Sequence, residues 1–336
     1  MKKYSFWLRM LLGVSLFALL FYTVDTEEFK SALLNSNPIF IVIAYIIGIA
    51  DRILMAYKWN ILLRVKGITI SLYKATTTYL TSTFLGLFLP TTVGGDGVRA
   101  YAIAREGYAS GDVISSVVME RILGMMALML FVMGSISLSI FWLGQRFFPD
   151  IDNLFWGVTA FFVLSIVLLA ITFNSTITSR GLKLLSGLER MPLGKKILKV
   201  LNSVTESYVG YSRNKKELGL FFAWCMVENL FPIAWTYLLA RAFQIEVEPF
   251  YFFILVPIVL ILRRLPLPTP DGAGIHEGAF VYLLSLIGVA AEKGLLLGIT
   301  THLLVIALVL PGGIFFLLNG VHAPRKKQAK VEIPAA

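Results

Sequence analysis

Two glycine-containing motifs place charged residues inside an otherwise apolar chain. Each motif combines glycines with a carboxylate and follows an apolar run that ends in proline. The polar and glycine positions are Gly94, Gly95, Asp96 and Arg99 in the first motif, and Asp271, Gly272, Gly274, His276 and Glu277 in the second. Backbone amides at the start of a helix and arginine side chains both bind phosphate. The first motif is therefore suited to a phosphate group, with Asp96 orienting an arginine or binding an amine.

Further polar pairs interrupt the apolar runs at Asp51–Arg52, Glu120–Arg121, Glu228–Asn229 and Arg263–Arg264. An ionised side chain inside a bilayer usually faces the protein interior and has a partner there. Adjacent helical residues point about 100° apart, so Glu120 and Arg121 should each pair with another element. We expect a polar network around the two motifs, in which Arg99, Arg121, Arg263 and Arg264 neutralise a phosphate and Asp96 and Glu277 orient them.

A secondary network is expected to contain Asp51, Arg52, Glu228, Asn229, Asp271 and His276. A structural alternative stays open for all these charges, because buried ion pairs can simply lock a helix bundle. Glycines have such an alternative as well, since small residues allow close packing of membrane helices. Gly94 and Gly95 fit packing less well, because they adjoin two charged residues. Proton coupling through Glu120, Glu277 or His276 is a further hypothesis, since burial favours the protonated form of an acid.

The composition shows whether the helices that carry these residues lie in water or in a lipid bilayer. Of the 336 residues, 57% are hydrophobic and 15% are charged, and the mean hydropathy is +0.78. A soluble protein of this size needs a larger polar exterior. The chain is therefore predicted to be an all-α polytopic integral membrane protein. The single cysteine excludes an intrachain disulfide, and three scattered histidines lack metal-ligand spacing, so no metal or cofactor is expected.

Long apolar runs predict about eight transmembrane helices and two re-entrant or broken elements. The predicted spans are residues 6–23, 38–62, 113–142, 154–173, 218–240, 250–264, 278–291 and 294–319. The run 73–98 is predicted to enter the membrane and return, because a full crossing would place the lysine-rich segment 180–216 outside. Basic loops remain cytoplasmic, so both termini are predicted to be cytoplasmic, in the inner membrane of a prokaryote.

Domain organisation follows from the same pattern. We expect one transmembrane domain over residues 1–324 with pseudo-repeated halves, and a basic tail over residues 325–336. Leucines, isoleucines and valines recur among the lysines of segment 180–216, which indicates amphipathic helices on the membrane surface; a solvated linker is the alternative. The net charge of +10 is then a topology signal and an attraction to anionic inner-leaflet head groups. No basic soluble domain is present to bind nucleic acid.

The two motifs and Glu120–Arg121 together resemble the lysylphosphatidylglycerol synthase transmembrane family of flippase-like proteins. The resemblance covers nearly the whole chain and keeps the motifs in order. It implies a prokaryotic inner-membrane protein with re-entrant helices that moves lipids between leaflets. Asp271 departs from the family pattern, which more often has glycine there. No soluble aminoacyltransferase domain is recognised, so a stand-alone member is expected.

The expected function is therefore lipid transport, by a flippase that moves phosphate-bearing glycerolipids or polyprenyl lipids and is not an enzyme. Two alternatives stay open at this point. One is a membrane glycosyltransferase that uses a lipid-phosphate donor, with acidic outer loops such as Asp150–Asp152 holding a metal. The other is a non-transporting scaffold for a lipid-modifying enzyme encoded elsewhere, which is also a candidate partner of a flippase.

Overall fold

The computed structural model describes residues 26–87, 92–143, 151–174, 176, 178–180, 194–264 and 274–319. Every regular element within these ranges is helical, which confirms the predicted all-α class. The predicted span 6–23, both motif segments 88–91 and 265–273, residues 181–193 and the tail 325–336 lie outside the described residues. Asp271 and Gly272 belong to the second of those motif segments.

The helices are α1 Thr26–Leu34, α2 Pro38–Val65, α3 Leu72–Gly86, α4 Thr92–Ala104, α5 Ser110–Leu143, α6 Ile151–Thr172, α7 Gly194–Gly210, α8 Lys215–Glu228, α9 Leu230–Ala242, α10 Pro249–Arg264, α11 Ile275–Ser285 and α12 Ala291–Asn319. Asn37 caps α2, because its side chain accepts a hydrogen bond from the Ile39 amide. Pro38 occupies the first helical position, where no amide hydrogen is needed. Ser71 caps α3 through the Lys74 amide.

Five stretches of the described chain are long and apolar enough to cross a membrane: Pro38–Val65, Ser110–Ile140, Ile151–Thr172, Lys215–Ala242 and Ala291–Leu318. The fourth contains α8 and α9 and is interrupted at Asn229. Pro232 explains this interruption, since proline cannot donate to the carbonyl four residues earlier, which belongs to Glu228. The predicted spans 250–264 and 278–291 form the shorter helices α10 and α11 instead.

Helices α3 and α4 form an antiparallel hairpin. Lys74 bonds to Glu106 at its open end, and the Gly86 and Gly95 backbones approach each other near its tip. The hairpin helices contain 15 and 13 residues, which correspond to about 20 Å each, whereas the hydrocarbon core is about 30 Å thick. Neither helix of the hairpin is therefore long enough to cross the hydrocarbon core by itself.

The described chain contains two similar halves. The first has a 28-residue helix, a pair of short helices and a 34-residue helix (α2 to α5). The second repeats this order over 28 residues (α8 and α9), a short pair (α10 and α11) and 29 residues (α12). The first long helices of the two halves run antiparallel, because the Asn37 amide bonds to the Ala242 carbonyl and the Tyr211 hydroxyl to the Leu62 carbonyl. The halves are thus an inverted repeat.

The halves exchange contacts through their short helices. Helix α12 packs on α3, where Gly312 lies so close to the Leu80 carbonyl that no Cβ would fit. Correspondingly, α10 packs on α5 of the first half. Helix α6 lies outside this arrangement: only 6% of its apolar window is buried within the protein, and its exposed apolar side chains are those expected of a lipid-facing helix.

The amphipathic helix α7 docks on the end of the bundle where α2 and α5 meet. Ser207 donates to Asp112 at 2.6 Å, and the Lys66 ammonium donates to the Ser207 carbonyl above the ring of Tyr211. Burial in this contact lowers the pKa of Lys66 and raises the pKa of Tyr211. The basic 58–74 and 194–216 regions therefore lie at one end of the bundle.

Candidate functional site

Arg99 is the centre of a buried ionic cluster at the first hairpin. Its guanidinium bonds to Asp96 one turn earlier at 2.8 Å and to Glu120 of α5 at 2.6 Å. The rings of Trp59 and Tyr79 lie 4.9 and 4.8 Å from its central carbon, and the side chain is 3% exposed. Arginine suits this position because its flat cation stacks on rings while bonding to carboxylates in plane. Arg99 therefore holds α2, α3, α4 and α5 together.

Arg121 lies at the accessible side of the same cluster. It donates to the second oxygen of Asp96 at 2.7 Å, so Asp96 bridges Arg99 and Arg121. The Arg121 side chain is 51% exposed, and among the arginines of the cluster it is the one placed to meet a ligand. As predicted, Glu120 and Arg121 do not pair with each other, because each faces a residue of the hairpin.

Asp51 and Arg52 extend the cluster along α2. Although adjacent, they bond to each other at 3.0 Å, because the long arginine side chain can fold back over its neighbour. Arg52 also lies close enough to the Tyr79 phenol to interact electrostatically, and that phenol donates to Glu120 at 3.2 Å. Three arginines and three carboxylates therefore balance one another in this part of the chain.

Glu277 belongs to a second cluster, between α11 and α12. Its carboxylate accepts the Gly274 amide at 2.6 Å and lies 2.7 Å from Nδ1 of His302. Both oxygens are thus engaged here rather than on the arginines expected as its partners. His276 is buried beside them and bonds to Thr301 at 3.0 Å.

Glycines set the backbone of both clusters. Gly274 has φ of +81°, a conformation that glycine adopts without strain, and it presents its amide to Glu277. A Cβ at Gly298 of α12 would lie 2.8 Å from the Glu277 Cα, and a Cβ at Gly95 would lie 2.8 Å from the Ser82 carbonyl oxygen. Gly95 therefore has a packing role, contrary to the expectation from its charged neighbours, while Gly94 is half-buried one residue nearer the tip.

The remaining predicted residues lie elsewhere. Glu228 forms a buried ion pair with Lys58 of α2, and the Asn229 side chain bonds to the Cys225 carbonyl where α8 gives way to α9. Arg263 is half-buried in the last turn of α10, and Arg264 ends that helix. Among the described residues, no group of three or more histidine, cysteine or acidic side chains is placed to hold a metal ion.

Sequence reasoning missed four participants: Lys58, Trp59, Tyr79 and His302. Lys58 is buried within α2, where it pairs with Glu228. His302 carried a usable signal, because it is an ionisable residue inside an apolar span. The two rings stacked on Arg99 carried none, since aromatic residues are common throughout this chain.

These features define a multi-pass, all-α membrane protein with ionic clusters at its broken helices. The chain matches the family model described as the lysylphosphatidylglycerol synthase TM region over residues 6–313, and it belongs to that family. "UPF0104 membrane protein PH1989" of Pyrococcus horikoshii is 23% identical to it over 343 residues, covering 95% of this chain and 98% of that protein. "UPF0104 membrane protein MJ1595" of Methanocaldococcus jannaschii is 24% identical over 102 residues, 30% of each chain. No solved structure matches the chain significantly.

Proposed function

We propose that this protein is a flippase that moves phosphate-bearing lipids between the leaflets of a prokaryotic inner membrane, with both termini in the cytoplasm. The observation that carries the proposal is Arg121, a half-exposed cation held on Asp96 beside a hairpin too short to span the bilayer. Non-helical backbone at membrane depth is tolerated where it is buried in protein or lines a wet cavity. Inverted repeats with broken helices are the architecture of many transporters.

Arg121 is the proposed phosphate ligand, and Arg99 supports it. A guanidinium binds phosphate through paired hydrogen bonds, and Arg121 has exposed surface with which to do so. Arg99 is covered by two rings and two carboxylates, so its role is to hold Asp96 in place. The first-turn amides of α4, ahead of Gly94 and Gly95, are further donors for the same phosphate.

The balance of charge in the cluster predicts which lipid head groups the protein prefers. A phosphate that takes Arg121 away from Asp96 leaves that carboxylate without its exposed partner. A head group that carries both a phosphate and an amine compensates, because the amine pairs with Asp96. We therefore expect amine-bearing phospholipids to move faster than anionic lipids of equal chain length.

The proposal is tested in proteoliposomes with fluorescent lipids whose outer-leaflet fraction is quenched chemically. Arg121→Ala should slow the movement of phosphate-bearing lipids by about 10- to 100-fold, the effect of losing a charged hydrogen bond. Arg105→Ala is the matched control, because Arg105 is exposed on the same hairpin and stacks on Tyr101. Equal rates in the wild type and Arg121→Ala for every lipid would contradict the proposal.

The same preparation separates the competing classes of protein. A glycosyltransferase with its centre in the outer loops would consume a polyprenyl-phosphate sugar and would be indifferent to Arg121→Ala. A scaffold would move no lipid, and the variant would alter only its complex with a lipid-modifying enzyme. Neither alternative needs the half-exposed arginine of the first hairpin.

A further inference from the structure

The two ionic clusters occupy equivalent places in the inverted repeat. In each half, an acid in the first turns after the short-helix break bonds to a basic residue of the following long helix. The distance is 2.7 Å for Arg121–Asp96 and 2.7 Å for His302–Glu277, and both pairs are separated by 25 residues in sequence. Arg121 is the twelfth residue of α5, and His302 is the twelfth residue of α12.

The two pairs differ in one chemical property. An arginine keeps its charge under all physiological conditions, so the Asp96–Arg121 pair is permanently ionic. An imidazole gains and loses a proton near neutral pH. The second half therefore has a removable cation at the position where the first half has a fixed one.

From this asymmetry we infer that Glu277 and His302 form a proton-binding site that couples lipid movement to a proton gradient. The inference rests on the proposed flippase function. Glu277 has no exposed surface, and its second oxygen is already bonded to the Gly274 amide. When His302 binds a proton, the pair is neutral overall; when it releases the proton, a buried carboxylate keeps a neutral partner. The two states thus differ by one charge inside the bundle. The charge of the site therefore depends on the pH at the membrane face to which it is open.

His276 extends this site. Its ring centroid lies 5.5 Å from that of His302, and its Nε2 atom bonds to Thr301 on the same long helix. His276 is buried, whereas the His302 side chain is 12% exposed. His302 is thus the access point, and His276 is a second imidazole that can take up the proton within the bundle.

Several of the helices packed around the pair carry charged residues. Helix α10, which packs on α11, carries Arg263 and Arg264 at its end. The helices that pack on α12 carry Glu27, Glu28 and Lys30 (α1), Asp51, Arg52, Lys58 and Arg64 (α2), Lys74 (α3) and Arg241 (α9), and α12 itself carries Glu292 and Lys293 in its first turn. Asp51 bonds to Arg52, Lys58 to Glu228 and Lys74 to Glu106. His302 is the direct side-chain partner of Glu277 in these contacts, so a proton on His302 is the change that Glu277 experiences most strongly.

Exchange of the cation tests the coupling. In proteoliposomes with an imposed pH difference, the steady-state ratio of lipid between leaflets should change about tenfold per pH unit for one coupled proton. His302→Arg makes the second pair a copy of the first and should reduce this dependence to a ratio near 1. His322→Gln is the control, since it removes a histidine outside the described residues. Unchanged gradient dependence in His302→Arg would overturn the inference.

A second measurement separates failure of the coupling from failure of the flippase function. Histidine-labelled protein in nanodiscs, followed by nuclear magnetic resonance from pH 5 to pH 9, reports the charge of His302 directly, and Glu277→Gln should shift its titration. A wild type that moves no lipid while His302 titrates would sink the flippase proposal and leave the proton site. A His302 signal that is constant over this range would overturn the proton site, whether or not lipids move.

Discussion

At the scale of single residues, Arg99 connects more of the molecule than any other site residue discussed above. It joins carboxylates on α4 and α5 and lies between rings from α2 and α3. Replacing it with methionine keeps the aliphatic part of the side chain but leaves Glu120 without its cation and Asp96 with Arg121 alone. Removal of one partner from a buried ion pair costs about 3 to 5 kcal/mol. We expect Arg99→Met to lower the midpoint of thermal unfolding in detergent by many degrees.

The control for Arg99→Met is Arg64→Met, because Arg64 is exposed in the last turn of α2 and its loss should be nearly neutral. A second variant, Arg99→Met with Glu120→Gln, removes the cation together with one of the charges that it balances. That double variant should recover part of the lost stability. If Arg99→Met unfolds at the same temperature as Arg64→Met, the central role of Arg99 is refuted.

Sequence alone brought Asp96, Arg99, Glu120 and Arg121 together, because ionised groups inside apolar runs are rare and costly, and these four residues do lie together. The expected secondary network was wrong in its grouping: Asp51 and Arg52 join the first cluster, whereas Glu228 pairs with Lys58 and His276 lies beside His302. The sequence could not show which arginine is buried and which is exposed, because the burial of Arg99 and the exposure of Arg121 depend on how four helices pack. The assignment of Glu277 to the same network failed for a related reason. Similar motifs in inverted halves lie at equivalent positions, which need not be adjacent.

At the scale of elements, the hairpin depends on the backbone contact at Gly95. Gly95→Ala would place a Cβ 2.8 Å from the Ser82 carbonyl oxygen, and a carbonyl cannot rotate away as a flexible side chain can. The helices α3 and α4 would have to separate, at a cost of about 1 to 3 kcal/mol. We expect a clear loss of thermal stability and, because the opening moves Asp96, slower lipid movement.

Gly97→Ala is the matched control for the hairpin, since Gly97 lies on the same helix and an added methyl group would meet nothing within 4 Å. Alanine favours a helix over glycine by about 1 kcal/mol, so this variant should unfold at the same temperature or higher. Equal stability of the two variants would show that the hairpin does not need its close contact.

The element boundaries illustrate where patterns in the sequence suffice. The runs 38–62, 113–142, 154–173 and 294–319 became α2, α5, α6 and α12 with small shifts of their ends, because length and hydropathy fix a spanning helix. The runs 250–264 and 278–291 are also apolar, but they form helices of only 16 and 11 residues. Hydropathy alone does not distinguish a buried short helix from a spanning one. Comparison with the short pair α3 and α4 of the first half does distinguish them.

At the scale of the whole molecule, the inverted repeat predicts which loops share a face of the membrane. Thr69, after α2, and Arg213, before α8, are exposed at the end where α7 docks. Glu246, after α9, is exposed at the opposite end, near the start of α2. Cysteine substitutions at these positions, in a Cys225→Ala background, should therefore react with an impermeant thiol reagent from two different sides.

In sealed right-side-out vesicles, Glu246→Cys should react at once, while Thr69→Cys and Arg213→Cys should react only after the membrane is opened. The background variant should not react, because its single native cysteine has been removed. Labelling of Thr69→Cys and Arg213→Cys from opposite sides would mean that the chain between them crosses the membrane an odd number of times. The first hairpin would then be a crossing rather than a re-entrant element, and the equivalence of the Asp96–Arg121 and Glu277–His302 pairs would be lost with it.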